Sequence, residues 1–335
     1  MSAQASAPPN HTAPYALWFW LLAALTVVLA ITSLLIGVYS ISWTDIRDGT
    51  DEFHSMMVLL ASRVPRTIAI ILVGASTSIS GMIMQMLSRN RFVSPGTAGT
   101  IESASLGVLI VTLLYPGASI GVKILFATVV AMIGTGAFLL ILRQIPIKSP
   151  LMVPLIGIMF GGVIGSVATF FAYRYELLQS LSMWTNGDFS RVLRGRYELL
   201  YVAGFLTLLS WFAADRFTVA GLGEAFTKNL GLNYGRVMAF GLMIVAAVTA
   251  VNVVTVGAIP FLGLIVPNVV SAIMGDNVRR TAPWVALFGA AFLLACDIAG
   301  RTLRYPYEIP ISVVVGVVGG VMFLVILLRR GERAN

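Results

Sequence analysis

Charged side chains are scarce in this chain: Asp, Glu, Lys and Arg make up 11% of its 335 residues, against roughly 25% in an ordinary soluble domain. Cysteine occurs once, as Cys296, so no internal disulfide can form, and its apolar sequence neighbourhood makes it a small core residue. Histidine occurs twice, as His11 and His54, too far apart in sequence to point to a metal site. A phosphate-binding G-x-x-x-x-G-K-[ST] loop is absent; the run GASIGVK at 117–123 lacks the required ending, which excludes ATP binding by that route. Paired catalytic groups are absent as well, which argues against a membrane-embedded enzyme. The first Lys or Arg is Arg47, so the N-terminal run lacks the basic region of a cleaved signal peptide and its first apolar stretch reads as a retained helix.

What fills the chain instead is apolar sequence, with 58% hydrophobic residues. A helix needs about 20 apolar residues to cross a hydrocarbon core of roughly 30 Å. Spans of that kind are expected at 17–39, 66–87, 98–115, 120–142, 151–172, 196–214, 237–256, 259–274, 282–300 and 309–328. The expected fold class is therefore all-α, a polytopic membrane protein of about ten transmembrane helices. One permease-sized domain over 16–330 is expected, with a disordered Ala/Ser/Pro-rich cytoplasmic tail at 1–15 and a short tail at 331–335. Two spans are interrupted: 98–115 opens with glycine and carries Glu102, and 259–274 contains Pro260 and Pro267. Such breaks at membrane depth need neighbouring protein or water to satisfy the freed backbone groups, so they point to a pathway.

The net charge of +8 belongs, in a bundle of this kind, to helix ends facing anionic lipid or a partner protein rather than nucleic acid. Ten spans put both termini on one side. With that side inside, twelve Lys and Arg face the cytoplasm and ten face outward, a weak positive-inside bias. The outward arginines then need an explanation of their own.

Four stretches carry more than hydrophobicity. Arg63 and Arg66 flank Pro65 at a helix start, where two cations oppose the helix dipole and either bind something or snorkel to headgroups. The polar turn at 88–99 holds Asn90, Pro95 and small residues, which fits a bend or gate between two spans. The segment 215–236 is punctuated by Gly221, Gly223 and Gly231 into short helical pieces and suits docking into a groove of a soluble partner. Asp297 and Arg301 are four apart, share a helix face and can pair. Glu102, an acid within a turn of its span's start, reads equally as a solvated helix-end carboxylate or as a functional intramembrane acid. Met82, Met84 and Met86 fit either packing or a permissive route.

Together these stretches resemble the FecCD family of permeases, the membrane subunits of ABC importers for iron chelates, haem and vitamin B12. The resemblance runs from about residue 17 to 330. The first motif reads Arg63, Pro65, Arg66, Gly74, Ala75, Ser80, Gly81, Met84, Gln85, Arg89, Asn90, Pro95, Gly96 and Gly99. The second reads Leu222, Gly223, Ala225, Leu230, Gly231, then Gly257, Ile259, Phe261, Gly263, Leu264, Pro267, Gly275, Asp276 and Arg279. This chain has Arg91 and Phe92 after Asn90 where the family commonly has Pro and Leu, and Asn268 after Pro267 where the family has His. The run RNRFVSPGTAGTIESASLG is similar to members serving ferric siderophores of the catecholate and mixed-ligand kinds.

The resemblance implies a type II ABC importer permease in the bacterial inner (cytoplasmic) membrane, carrying an iron(III)-siderophore inward without an ATP site or cofactor of its own. Implied partners are two ABC ATPase subunits, a periplasmic or lipoprotein siderophore-binding protein, a second permease subunit, identical or homologous, and membrane lipid. It assigns binding-protein docking to Arg63, Arg66 and Arg301, and ATPase coupling to Leu222, Gly223, Glu224, Ala225, Lys228, Leu230 and Gly231. The translocation path or cytoplasmic gate falls on Gln85, Asn90, Phe92 and Ser149. Haem or a cobamide is the alternative cargo. An ion-driven secondary transporter is a different class, for which Glu102 alone offers a coupling acid.

Overall fold

The computed structural model describes residues 12–36, 57, 59–146, 149–195 and 197–331, and the described residues are helical, without strands. The helices are α1 (Thr12–Leu35), α2 (Val64–Ser88), α3 (Thr100–Leu114), α4 (Ile120–Gln144), α5 (Met152–Arg174), α6 (Leu178–Thr185) and α7 (Leu200–Phe212). They continue as α8 (Ala214–Gly221), α9 (Glu224–Asn229), α10 (Tyr234–Thr255), α11 (Leu262–Met274), α12 (Val278–Thr302) and α13 (Ile311–Gly331). A π-helical turn, Leu59–Arg63, leads into α2, and a 3-10 turn, Pro95–Thr97, precedes α3. The expected tails at 1–15 and 331–335 fall largely outside the described residues. Where they overlap, the tail reading needs correcting: α1 already begins at Thr12, and Pro14 lies in its first turn, where a missing N–H costs nothing.

Six described helices are long and apolar enough to cross a membrane: α1, α4, α5, α10, α12 and α2 with its π turn. α7 and α8 form a further bent pair with 66° between them, and α3, α11 and the 311–326 part of α13 are shorter apolar helices. These ten segments fall on the ten expected spans. The two spans expected to be interrupted are both short helices, as is the 13-residue α7 that bends into α8. At 1.5 Å per residue, the 15 residues of α3 and 13 of α11 reach only about 20 Å, short of the roughly 30 Å core. Each is preceded by irregular chain that enters the bundle: the 3-10 turn and Gly99 (φ 74°) before α3, Gly257 (φ 86°) and Phe261 (φ 59°) before α11. α6 was not expected from sequence, since eight residues with three serines and threonines (LQSLSMWT) carry no span-length signal.

α2 is the axis of the bundle, packed by α7, α10, α11 and α12. Its middle, GASTSISG, is a run of small residues. This lets other backbones approach closely, and that packing substitutes for a hydrophobic drive lacking between helices in lipid. A Cβ at Gly81 would lie 1.8 Å from the Gly263 carbonyl oxygen of α11, and one at Gly74 would lie 2.6 Å from that of Gly289 on α12. Hydroxyls in this run also join helices: Asn252 of α10 donates to Ser76 Oγ at 3.1 Å and Thr77 Oγ1 at 3.0 Å. α4 and α5 are mostly exposed on the outside of the bundle; α3 packs on both and on α10, and α4 also packs directly on α10.

Candidate functional site

One end of the bundle brings together Arg63, Arg66 and Arg301. α1 stops at Leu35 with its last carbonyls unpaired, as every helix C-terminus does. Arg63 Nη1 donates to Leu34 O at 2.9 Å and Leu35 O at 3.1 Å. Arg301 donates to Ser33 O at 3.0 Å, Ile36 O at 2.7 Å and Ser33 Oγ at 2.6 Å. Arg66 holds Asp297 at 2.8 Å and Glu308 at 2.8 Å. Asp297 also faces Arg301 as an ion pair at 2.6 Å. The three arginines expected from sequence as a docking set are thus brought together, but they point their donors inward. Arg63 and Arg301 are each only 6% exposed. They therefore hold α1, α2 and α12 together, a structural job that sequence assigned only to the Asp297–Arg301 pair. Sequence reasoning missed Ser33 and Glu308 as members, since neither has a local signal.

The opposite end is built round the Asn90 bend. α2 ends with Arg89 in a left-handed conformation (φ 49°). Asn90 Oδ1 then accepts from the Phe92 amide at 2.8 Å, and its Nδ2 donates to Pro150 O at 2.7 Å. An Asx turn of this kind fixes the bend that a proline after Asn90 would otherwise fix. The Ser149 carbonyl, beside Pro150, accepts from the Met152 amide at 3.1 Å in the turn just before α5. Asn268 of α11 donates to Arg91 O at 2.7 Å, Arg91 pairs with Asp276, and the Phe92 ring meets Phe323 of α13 at 6.1 Å. Asn90, Phe92 and Ser149 are therefore brought together. Gln85 sits deeper and makes a long contact, 3.5 Å, to Leu264 O.

The 215–236 segment lies at this same end and divides into α8 and α9. α8 is anchored: Phe217 is buried and stacks on Phe240 of α10, with centroids 6.2 Å apart. Thr218 Oγ1 accepts from the Val278 amide at 3.1 Å, and Asp215 pairs with Arg279 of α12. Gly223 (φ 111°) and Gly231 (φ 75°) make the turns on either side of α9, in backbone regions open to glycine. Within α9, Lys228 bridges Glu224 at 2.9 Å, and its ammonium holds the Glu224 carboxyl below its ordinary value. Leu222, Ala225, Phe226 and Leu230 are exposed. An anchored helix thus carries a short second helix that presents apolar side chains outward.

Glu102 is not at a solvated helix end. Its side chain lies against Gly161 and Gly165 of α5, and its Oε2 is buried without a hydrogen-bond partner. Among the described residues no group of three His, Cys, Asp or Glu side chains could hold a metal ion.

The family model described as the FecCD transport family matches residues 25–329. A petrobactin import system permease of Bacillus subtilis is 49% identical over 306 residues, 91% of this chain and 96% of that protein. A ferric-anguibactin transport system permease of Vibrio anguillarum is 40% identical over 301 residues, 90% of this chain and 95% of that one. Among solved structures, a chain described as an inward-facing conformation of a metal-chelate type ABC transporter superposes with TM-score 0.78 at 25% identity, covering 94% of this chain and all of the other. The chain belongs to the FecCD transport family.

Proposed function

We propose that this chain is the membrane-spanning subunit of an ABC importer that carries an iron(III)-siderophore, of catecholate or mixed-ligand type, across the cytoplasmic membrane. The observation that carries the reading is the α8–α9 unit. A helix locked to α10 and α12 bears an outward apolar tip of Leu222, Phe226 and Leu230, which suits a groove on a soluble motor subunit. Two ATPases bind there, one under each of two permease chains, and ATP closure moves α8 and α9 with the helices they hold. Both termini face the cytoplasm. The opposite end, with Arg66 at its rim and Arg63 and Arg301 behind it, receives a loaded binding protein. The cargo class rests on the two siderophore-permease relatives, each matched over most of its length.

The test is reconstitution of the permease with its ATPase and binding protein in proteoliposomes. Uptake of ferric siderophore should require ATP and the binding protein. Haem or cobamide carried in its place would change the cargo; accumulation by permease alone on a sodium or proton gradient would overturn the importer reading.

A further inference from the structure

Glu102 raises a charge problem. No ion pair reaches it among the described residues, whereas the other intramembrane acid, Asp297, has two arginines. Its neighbours Gly161 and Gly165 lie nine and thirteen residues into α5, so it stands about 14–20 Å along that helix. That is the middle of a hydrocarbon core roughly 30 Å thick. A carboxylate at this depth requires a partner of opposite charge or a proton.

The space beside it is shaped for such a partner. A cavity of about 270 Å³ lies between α3, α5 and α6, with Glu102, Ser105, Thr169, Ser182 and Thr185 as its polar lining and no Lys, Arg or His. Thr169 gives its proton to Gly165 O at 2.8 Å, and Thr185 to Leu181 O at 3.1 Å. Ser182 Oγ accepts from Asn186 Nδ2 at 3.1 Å. The two threonine hydroxyls therefore present lone pairs, not protons, to the cavity. Ser105 is 1% exposed, and its Oγ has no partner. The lining thus offers hydroxyl oxygens round one acid, with the threonine protons already committed and those of Ser105 and Ser182 free to turn away from a cation. Anions are excluded by the charge of that acid, and softer divalent transition metals find no nitrogen or sulfur ligand. The cavity shares Gly165, Thr169 and Leu178 with an open groove on the outside of α5 that also includes Gly162 and Ser166, so it is open to the surface of the single chain.

We propose that this cavity binds a compact monocation, with Glu102 as counter-charge and Ser105, Thr169 and Thr185 as oxygen ligands. An alkali metal ion and the ammonium group of an amine share the required chemistry. The site stands on its own geometry; only an ammonium group borne by a transported molecule would rest on the transport reading above.

The full-length permease, purified in lipid nanodiscs, is unfolded by heat in choline chloride, whose cation is too bulky for the cavity. Sodium, potassium or methylammonium chloride then replaces it at constant ionic strength. Ligand binding to the folded state raises the midpoint saturably. The expected result is such a rise for at least one cation, abolished in Glu102→Gln and shifted to at least about tenfold higher cation concentration in Ser105→Ala. A rise with sodium or potassium alone identifies an inorganic ion; a rise with methylammonium alone identifies an amine. Should Glu102→Gln fail to fold, Ser105→Ala with rubidium binding as the readout carries the same decision. A midpoint indifferent to all three cations in the wild type, or a response retained by both variants, overturns the proposal and leaves Glu102 a protonated structural group.

Discussion

Asp297 sits between two arginines, at 2.8 Å from Arg66 and 2.6 Å from Arg301, and is almost fully buried. Removing one member of a buried ionic cluster costs more than the cluster contributes, because the remaining charges lose their partner inside the protein. Asp297→Ala should therefore destabilise the permease by about 3–5 kcal/mol, read as a drop in thermal midpoint and in membrane yield, with Asp297→Glu partly restoring both. Gly81 is constrained differently. A Cβ there would lie 1.8 Å from the Gly263 carbonyl, so Gly81→Ala must push α2 and α11 apart, at a cost of about 1–3 kcal/mol. A wild-type thermal midpoint for that variant would contradict the close crossing. Residues of both kinds were legible in sequence as types and motifs, and the Asp297–Arg301 pair by its spacing, but the long-range contacts were not. Arg66 and Asp297 are 231 positions apart, beyond any helical periodicity. Glu102 stayed open in sequence for a related reason: it falls in a first turn, and only the fold shows that α3 starts beside the middle of α5.

At the scale of elements, the apolar spans were legible because lipid demands a long uninterrupted signal, and the two interrupted ones were legible by their glycines and prolines. α6 was invisible because its length and composition carry no such demand. The 215–236 segment lies between these cases. Its glycines announced short pieces, while the anchoring of α8 through Phe217 and Thr218 emerged only from tertiary packing. That anchoring makes a specific prediction. Phe226, exposed on α9, should be a docking hot spot for the ATPase, so Phe226→Asp should weaken complex formation by on the order of 2 kcal/mol, about thirtyfold in affinity. Lys228→Gln removes only an exposed i, i+4 pair and should leave uptake within about a factor of two. Co-purification of the ATPase and ATP-driven uptake read both effects. Equal loss in the two variants would mean that charge, not the apolar tip, makes the contact.

For the whole molecule the question is which end faces the cell interior, and charge decides it poorly: twelve basic residues against ten on the expected assignment. The weakness has a structural origin, since Arg63, Arg66 and Arg301, at the end assigned outward, are absorbed by α1 carbonyls and by acids and so report on packing as much as on topology. The native thiol offers a cleaner measure. Cys296 is 5% exposed, so single cysteines placed elsewhere can be labelled against a silent background. Tyr175, just past the end of α5, is exposed at the arginine-bearing end, and Asn229, the last residue of α9, is exposed at the other. In intact spheroplasts a membrane-impermeant maleimide should modify Tyr175→Cys and spare Asn229→Cys, and permeabilisation should make Asn229→Cys reactive as well. The reverse pattern would put α8 and α9 outside, out of reach of any cytoplasmic ATPase, and an importer driven through that unit could not operate.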